Sequence, residues 1–101
     1  MHGSNRAYTG KVVFVWDEKK AAANLKKHGV DFQEAITVLE DTLSTTFPDC
    51  DLSDLEARFL TIGVSNRNRV VVVAHTEEDE LIRIISARQA TRHERKFYEE
   101  G

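Results

Sequence analysis

The residues best suited to chemistry in this chain are basic. Lys27 and His28 adjoin, and arginines follow at Arg58, Arg83 and Arg88. Cleavage of an RNA phosphodiester without a metal needs a base for the 2′-hydroxyl, cations for the crowded phosphorane, an acid for the leaving oxygen and a surface for a nucleobase. Lys, His and Arg side chains supply the first three. The residue types fit this chemistry, but their spacing alone does not assemble a site.

Arg83 stands inside an otherwise apolar stretch, Leu81–Ala87. A guanidinium in such a strand must reach a carboxylate, a phosphate or water, because unpaired burial is costly. An internal partner would be Asp17 or Asp41, and a functional partner would be a phosphate. Both readings stay open from the sequence.

Three further side chains each have two readings. His28 suits general acid–base work, with an ordinary pKa near 6.5, or it neutralises the end of a helix and packs against the sheet. His75 ends a strand, and simple hairpin pairing places Ala74 rather than His75 on the face of Arg83. Tyr98 can stack on a base or act as an acid, but helix packing explains it as well.

Several other kinds of site have little support. Cys50 is the only cysteine, which excludes an intrachain disulfide, argues against a zinc site and indicates a reducing compartment. Neither Cys50 nor Ser86 has an evident base partner, and no glycine-rich phosphate loop or metal-ligand spacing is present. No apolar run approaches the roughly 20 residues that span a bilayer, and the polar start lacks a secretory signal. We therefore expect a cytoplasmic protein that binds neither a metal nor a membrane.

The net charge of −3 argues against a nucleic-acid partner, but the charges are segregated. Acidic residues concentrate in Asp49–Glu56 and Glu77–Glu80, which have the composition of loops. Basic residues concentrate near positions 26–28, 67–69 and 92–96. A basic face on an acidic protein and scattered solvated charge both fit this pattern.

The first half of the chain predicts one strand, two helices and a second strand. Lys11–Trp16 is rich in β-forming residues. Asp17 caps a helix that ends at Gly29, and Asp31 with Glu34 begins a second one in the manner of a capping box. Its apolar stripe ends at Leu39, and an edge strand follows over residues 43–47, closed by a proline.

The second half predicts a β-meander and a last helix. The strands are Arg58–Val64, Val70–His75 and Leu81–Ala87, and Thr91 with Glu94 forms a capping box for the helix. We expect an α+β fold in one domain over residues 11–101. Its two N-terminal helices and one C-terminal helix would pack on one face of an antiparallel β-meander. We expect residues 1–10 to take no part in the fold and to be a disordered or tag-like N-terminus.

Several short motifs, in their order and spacing, resemble the BrnT toxin family from about Phe14 to the end of the chain. They are Trp16-Asp17; Asn24 with Lys27-His28-Gly29-Val30; Phe32 with Glu34-Ala35; Arg58-Phe59 with Ile62-Gly63; and Arg83-Ile84-Ile85-Ser86-Ala87-Arg88 followed by Ala90, Glu94-Arg95 and Tyr98. Each motif is weak alone, and the set is specific.

This resemblance implies a RelE-like fold and a metal-independent endoribonuclease, without cofactor, that stops translation by cleaving RNA. It also implies a BrnA-like antitoxin with a DNA-binding domain, through which the toxin would meet operator DNA only indirectly. On the matching positions, Lys27 or His28 would transfer protons, and Arg58, Arg83 and Arg88 would bind phosphate and stabilise charge. Further RNA contacts are assigned to His75, Arg92, Arg95 and Tyr98.

Two alternatives remain. The chain could be a non-catalytic binding module, either a degenerate toxin or a co-repressor that acts with a DNA-binding partner. It could also be a small-ligand domain in which an internal carboxylate neutralises Arg83; a buried Arg83–Asp pair would favour that reading.

Overall fold

The computed structural model describes residues 4–9, 11–49 and 57–100, with the backbone alone for residues 4–9. Cys50 and most of the predicted acidic loop at 49–56 lie outside the described residues, as do positions 1–3 and 10. The helices and strands, in chain order, are β1 (Ser4–Thr9), β2 (Val12–Asp17), α1 (Glu18–His28), α2 (Phe32–Leu39), β3 (Thr45–Pro48), β4 (Phe59–Val64), β5 (Val70–Glu78), β6 (Leu81–Gln89) and α3 (Arg92–Glu100).

The predicted helix ends are confirmed. The carboxylate of Asp17 accepts hydrogen bonds from the amides of Lys19 and Lys20 at 2.8 and 3.2 Å, which caps α1. Gly29 follows α1 in the left-handed conformation, with φ of 72°, and this conformation favours glycine. Asp31 caps α2 by accepting from the Glu34 amide at 2.7 Å. Only this half of the expected capping box forms, because the Glu34 side chain binds elsewhere.

The described strands form one six-stranded sheet in the order β1-β2-β6-β5-β4-β3. From β3 to β6 the strands make the predicted antiparallel meander. However, β2 pairs with β6 in parallel, so the sheet is mixed and the prediction of a purely antiparallel sheet is wrong at this pair. The two helices after β2 carry the chain to the far edge of the sheet. The meander then returns β6 beside β2 in the same direction.

The segment before residue 10 differs from expectation. Ser4–Thr9 forms β1 and pairs antiparallel with β2, from Ser4 opposite Asp17 to Thr9 opposite Val12. The sequence predicts no fold role for this segment, because a short polar strand carries little signal. The division into a terminal segment and a domain at 11–101 stays a prediction.

The sheet has two faces with different covers. Helices α1 and α2 pack on the face that carries Val71 and Val73, here called the helix-covered face, and the main core lies between them. Trp16 and Phe32, both buried, meet there edge to face at 6.5 Å. The other face, here called the open face, carries the intervening residues of the same strands. Helix α3 covers part of it through Phe97, so the prediction that all helices share one face is wrong.

Two buried polar side chains hold the helical layer to the sheet. The Asn24 side-chain amide donates to the carbonyls of Val30 and Ala87 at 2.9 and 2.7 Å and accepts from the Ala87 amide at 3.1 Å. Strand β6 pairs with β2 only over Leu81–Arg83. Asn24 therefore supplies hydrogen-bond partners to the backbone N–H and C=O of Ala87, which lies beyond that pairing. Glu34, which is 3% exposed, pairs with Arg69 in the turn between β4 and β5. Across the described ranges, no helix has the length and apolar character that crossing a membrane requires.

Candidate functional site

A row of three residues crosses the open face at one end of the sheet. Thr76 of β5 lies opposite Arg83 of β6. Arg58 directly precedes β4, and extending the ladder one step beyond the Phe59–His75 pair places it opposite Thr76. Adjacent strands lie about 4.8 Å apart, so the backbones of Arg58 and Arg83 are separated by roughly 10 Å. The row brings two of the predicted phosphate-binding arginines within reach of one phosphodiester.

Arg83 is exposed and Arg58 is half-buried. Arg83 lines a cleft of about 240 Å³ together with Thr76, Glu77, Glu78, Leu81 and Ala57. The small-ligand alternative required a buried pair between Arg83 and an aspartate. The exposure of Arg83 does not fit that requirement, and the two candidate carboxylates have other roles: Asp17 caps α1, and Asp41 binds backbone and a tyrosine.

A β-bulge places Arg88 on the same face as Arg83. These two residues are an odd number of positions apart, so a regular strand would point them to opposite faces. In β6, Ser86 pairs with Ala74 and Ile84 pairs with His75, which leaves Ile85 as the extra residue. The extra residue reverses the alternation, and Arg88 comes to lie opposite Val72 on the open face.

Arg88 is held by Glu94, the third residue of α3. Two parallel hydrogen bonds join the guanidinium to the carboxylate, at 2.7 and 2.9 Å. The same carboxylate accepts from the Thr91 amide at 2.9 Å, and the Thr91 hydroxyl accepts from the Glu94 amide at 3.1 Å. This confirms the predicted capping box. The hydrogen bonds from Arg88, aided by those of Thr91, lower the pKa of Glu94 to about 2, so the pair stays ionised throughout the physiological range.

Lys27 and His28 lie in the other layer. Both belong to the last turn of α1, which packs over β6 and β2 on the helix-covered face. Lys27 is exposed and His28 is half-buried. The structure therefore does not bring these two residues to the open face with the arginines, and the five predicted catalytic positions divide between two layers.

His75 is fully buried on the helix-covered face, opposite Ile84 rather than Arg83, in agreement with the expected hairpin register. Its Nε2 lies 2.7 Å from the Thr61 hydroxyl, and its ring stacks on Phe59 at 6.1 Å. Burial lowers the pKa of His75, against a smaller opposing effect of Glu77, so the ring is neutral at pH 7. In this position His75 is a core side chain and has no surface from which to contact RNA.

The three other predicted RNA contacts belong to α3. Arg92 and Arg95 are exposed on its outer side. Tyr98 donates a hydrogen bond of 2.6 Å to Asp41, and this bond raises the pKa of the phenol to about 12. Tyr98 thereby anchors α3 to the loop after α2, which is the packing role that the sequence left open.

The aromatic side of the open face was not predicted from the sequence. Phe47 of β3 and Phe97 of α3 are both exposed and meet edge to face at 6.4 Å. His93 lines the same groove. The sequence did contain one signal for this groove. Phe97 follows His93 by four residues, so the two side chains lie on the same side of the predicted helix. Among the described residues, no group of three or more His, Cys, Asp or Glu side chains is arranged to hold a metal ion.

Comparisons with known proteins agree with the resemblance seen in the sequence. The family model described as "Ribonuclease toxin, BrnT, of type II toxin-antitoxin system" matches residues 16–94. The chain is also similar to the ribonuclease toxin BrnT of Brucella abortus, whose crystal structure was solved at 1.1 Å. The TM-score is 0.59 and the sequence identity 28%, over 76% of this chain and 94% of that chain. No curated protein matches.

Proposed function

Because the chain belongs to the BrnT family of ribonuclease toxins of type II toxin–antitoxin systems, we propose that it cleaves RNA on the open face of its sheet. The reaction uses neither a metal ion nor a cofactor, and it stops translation in the cytoplasm. The family relationship and the similarity to the Brucella toxin support the ribonuclease activity. The proposed RelE-like relationship of the fold rests on the sequence resemblance.

The row of Arg58, Thr76 and Arg83 is the observation on which the proposal depends. During phosphodiester cleavage, negative charge accumulates on the non-bridging oxygens of the phosphorane. Fixed guanidinium groups stabilise that charge and can bind two oxygens at once. Arg83 is exposed in a cleft on the open face, and Arg58 lies two strands away in the same row. Thr76 provides a hydroxyl between them.

We also propose that Lys27 or His28 transfers protons. Because both residues lie in the last turn of α1, on the other side of the sheet from the arginine row, this role requires a particular path of the RNA. The RNA would have to extend from Arg83 past the end of β6 to the last turn of α1. Lys27→Ala and His28→Gln test this directly. A loss of single-turnover cleavage rate at saturating protein would support proton transfer, whereas a change in affinity alone would make them binding residues.

The central test is cleavage of a defined RNA in EDTA by protein freed of antitoxin. Arg83→Ala should slow single-turnover cleavage by about 10²–10³-fold, the usual effect of removing one donor that stabilises charge in the transition state. The matched control is Arg67→Ala, which removes an exposed arginine from the turn at the opposite end of β5. Thermal unfolding should show both variants folded. Full cleavage by Arg83→Ala, or cleavage by wild type that needs an added metal, would refute the proposal.

The proposed partner is a BrnA-like antitoxin that blocks the toxin and carries a DNA-binding domain, so that contact with operator DNA is indirect. Membership of a type II toxin–antitoxin family supports a protein antitoxin. Titration of the toxin with the product of the adjacent gene should abolish RNA cleavage at a fixed ratio. Operator binding should require that product. Operator binding by the toxin alone would contradict this assignment.

One observation favours the alternative of a non-catalytic co-repressor. Arg88 is bound by Glu94 through two hydrogen bonds, which leaves it unavailable to a phosphate unless that pair opens. Expression without antitoxin distinguishes the two functions, since an active toxin arrests growth and a co-repressor does not. The Arg83→Ala variant serves as the control in the same strain.

A further inference from the structure

An apolar groove lies on the open face between α3 and the β3–β4 edge. Its floor is formed by Leu60, Ile62 and Val72, and its rim by the aromatic pair Phe47 and Phe97. The two rim rings are 37% and 51% exposed and stand at 86° to one another. The groove has a volume of about 230 Å³. Exposed aromatic rings over an apolar floor are unusual where a helix already covers a sheet.

Two cations lie beside the groove. His93 lines it directly, and Arg92 and Lys96 are exposed next to the lining residues His93 and Phe97, whereas Arg95 lines a separate cleft with Glu99. Glu94 is the acid in its lining, and its charge is neutralised by Arg88. A ligand with an apolar, flat part and negative charges on either side complements this arrangement.

The groove lies on the same face of the sheet as the arginine row. Val72 on its floor and Thr76 in the row belong to β5 and lie on the same face, separated by about 13 Å along the strand. Ala74 and Ser86, paired between them, leave only small side chains in the path. On the described strands β5 and β6, a single strand of RNA therefore meets only small side chains between the groove and Arg83.

We propose that this groove binds an unpaired nucleobase of the RNA, next to the phosphate that is cut. The inference rests on the proposed function for the identity of the substrate and adds to it a site that selects the base. The rings of Phe47 and Phe97 stand at 86° to one another, so one of them stacks on a face of the base while the other packs against its edge. The imidazole of His93 offers a hydrogen-bond partner to that edge. Recognition of splayed-out bases by aromatic side chains is the usual way in which proteins read single-stranded RNA.

An apolar protein segment is the competing occupant. The groove favours a base because its rim is aromatic and because Arg92 and Lys96 beside it can bind the phosphates on either side of that base. An apolar peptide would need no such cations, and an apolar segment of the antitoxin bound in the groove is the competing result in the test.

The test uses binding rather than cleavage, so that it is independent of activity. Trp16 is the only tryptophan and is buried, and Phe97→Trp adds a second one at the rim. The ligands are short oligodeoxynucleotides, which lack the 2′-hydroxyl that metal-free cleavage needs. Base stacking should quench the new tryptophan, with an affinity that differs among homo-oligomers of the four bases. Phe47→Ala should weaken binding by about five- to 150-fold.

Leu43→Ala is the matched control, because Leu43 is an exposed apolar residue in the loop after α2 and outside the groove. It should leave binding unchanged. Quenching without any RNA cleavage would support the groove while the proposed function fails. Cleavage with no quenching, and with unchanged affinity in Phe47→Ala, would overturn the groove inference. So would groove variants that keep oligonucleotide affinity but escape neutralisation by the antitoxin.

Discussion

Replacing Arg69 by Met is expected to destabilise the fold strongly at neutral pH, because it leaves the buried carboxylate of Glu34 without its cation. Arg69 donates to Glu34 through Nε at 3.0 Å and also through Nη2, and the carboxylate side chain is 2% exposed. Removing one partner of a buried ion pair costs about 3–5 kcal/mol. Arg69 itself is 26% exposed, so we expect the lower end, about 3 kcal/mol. At about 4 °C per kcal/mol, the melting temperature should fall by roughly 12 °C.

The loss of stability in Arg69→Met should become smaller as the pH falls. In the wild type, burial raises the pKa of Glu34, but hydrogen bonds from Arg69 and Ser65 and the charges of Arg69 and Arg67 outweigh it and lower the pKa below 4.5. The stability that this lowered pKa contributes is fully present above the pKa of Glu34 in the unfolded chain. It is lost as the pH falls through the lower pKa of Glu34 in the folded protein. In Arg69→Met the burial remains without the main compensation, so the pKa of Glu34 rises. The variant takes up a proton as the pH falls, and the stability gap to the wild type narrows.

Urea denaturation at several values between pH 4 and pH 7 measures this gap. Arg67→Met is the control, since it removes a charge from the same turn but no hydrogen bond to Glu34, and should change stability by less than about 0.5 kcal/mol. Adding Glu34→Gln to Arg69→Met should recover part of the loss. A loss below 1 kcal/mol in Arg69→Met, or a gap that stays constant with pH, would refute the reasoning.

Two further predictions concern the middle of the sheet. Gly63→Ala should reduce the free energy of unfolding by about 1–3 kcal/mol, since a Cβ would lie 3.0 Å from both Asp41 Oδ2 and Ser44 Cβ; urea denaturation measures this, and an unchanged midpoint would contradict it. His75 is buried and neutral with a lowered pKa, so stability should be complete above about pH 6.5 and fall below it, by at most about 1.4 kcal/mol for each pH unit. In His75→Gln, which can keep the hydrogen bond to Thr61, that part of the pH dependence should disappear; an identical pH profile would show that another group titrates.

The local signals in the sequence were sufficient for the helices and for the presence of the strands from residue 11 onward, although β5 extends to Glu78, into the stretch Glu77–Glu80 that was expected to be a loop. Asp17 and Gly29 mark the ends of α1 by hydrogen bonds and backbone geometry that depend only on neighbouring residues. The same holds for Thr91 and Glu94 at the start of α3. Such signals act over a few residues, and a sequence displays them directly.

Features that depend on distant partners could not be predicted. Glu34 was assigned to a helix cap, yet its partner Arg69 lies 35 positions away. The parallel pairing of β2 with β6 depends on the path of the whole chain. No glycine marks the bulge at Ile85, although that bulge decides whether Arg83 and Arg88 share a face.

The candidate site was predicted only in part, because its assembly also depends on residues that are distant in the sequence. Arg83 was recognisable as a charge in an apolar strand. The layer in which Lys27 and His28 lie could not be deduced, because the end of a helix does not reveal the side of the sheet on which the helix packs. The aromatic groove was missed because Phe47 and Phe97 are far apart in the chain and meet only in the folded protein.

The carboxylate of Glu94 belongs to two structures at once, since it closes the first turn of α3 and holds the guanidinium of Arg88. Thermodynamic linkage then requires that the two respond to each other. An anion that draws Arg88 away loosens the start of the helix, and fraying of that turn releases a positive charge toward the sheet. The stability of the first turn of α3 is thus coupled to the ion pair of Arg88, and we expect hydrogen exchange of the amides in that turn to report whether the pair is formed.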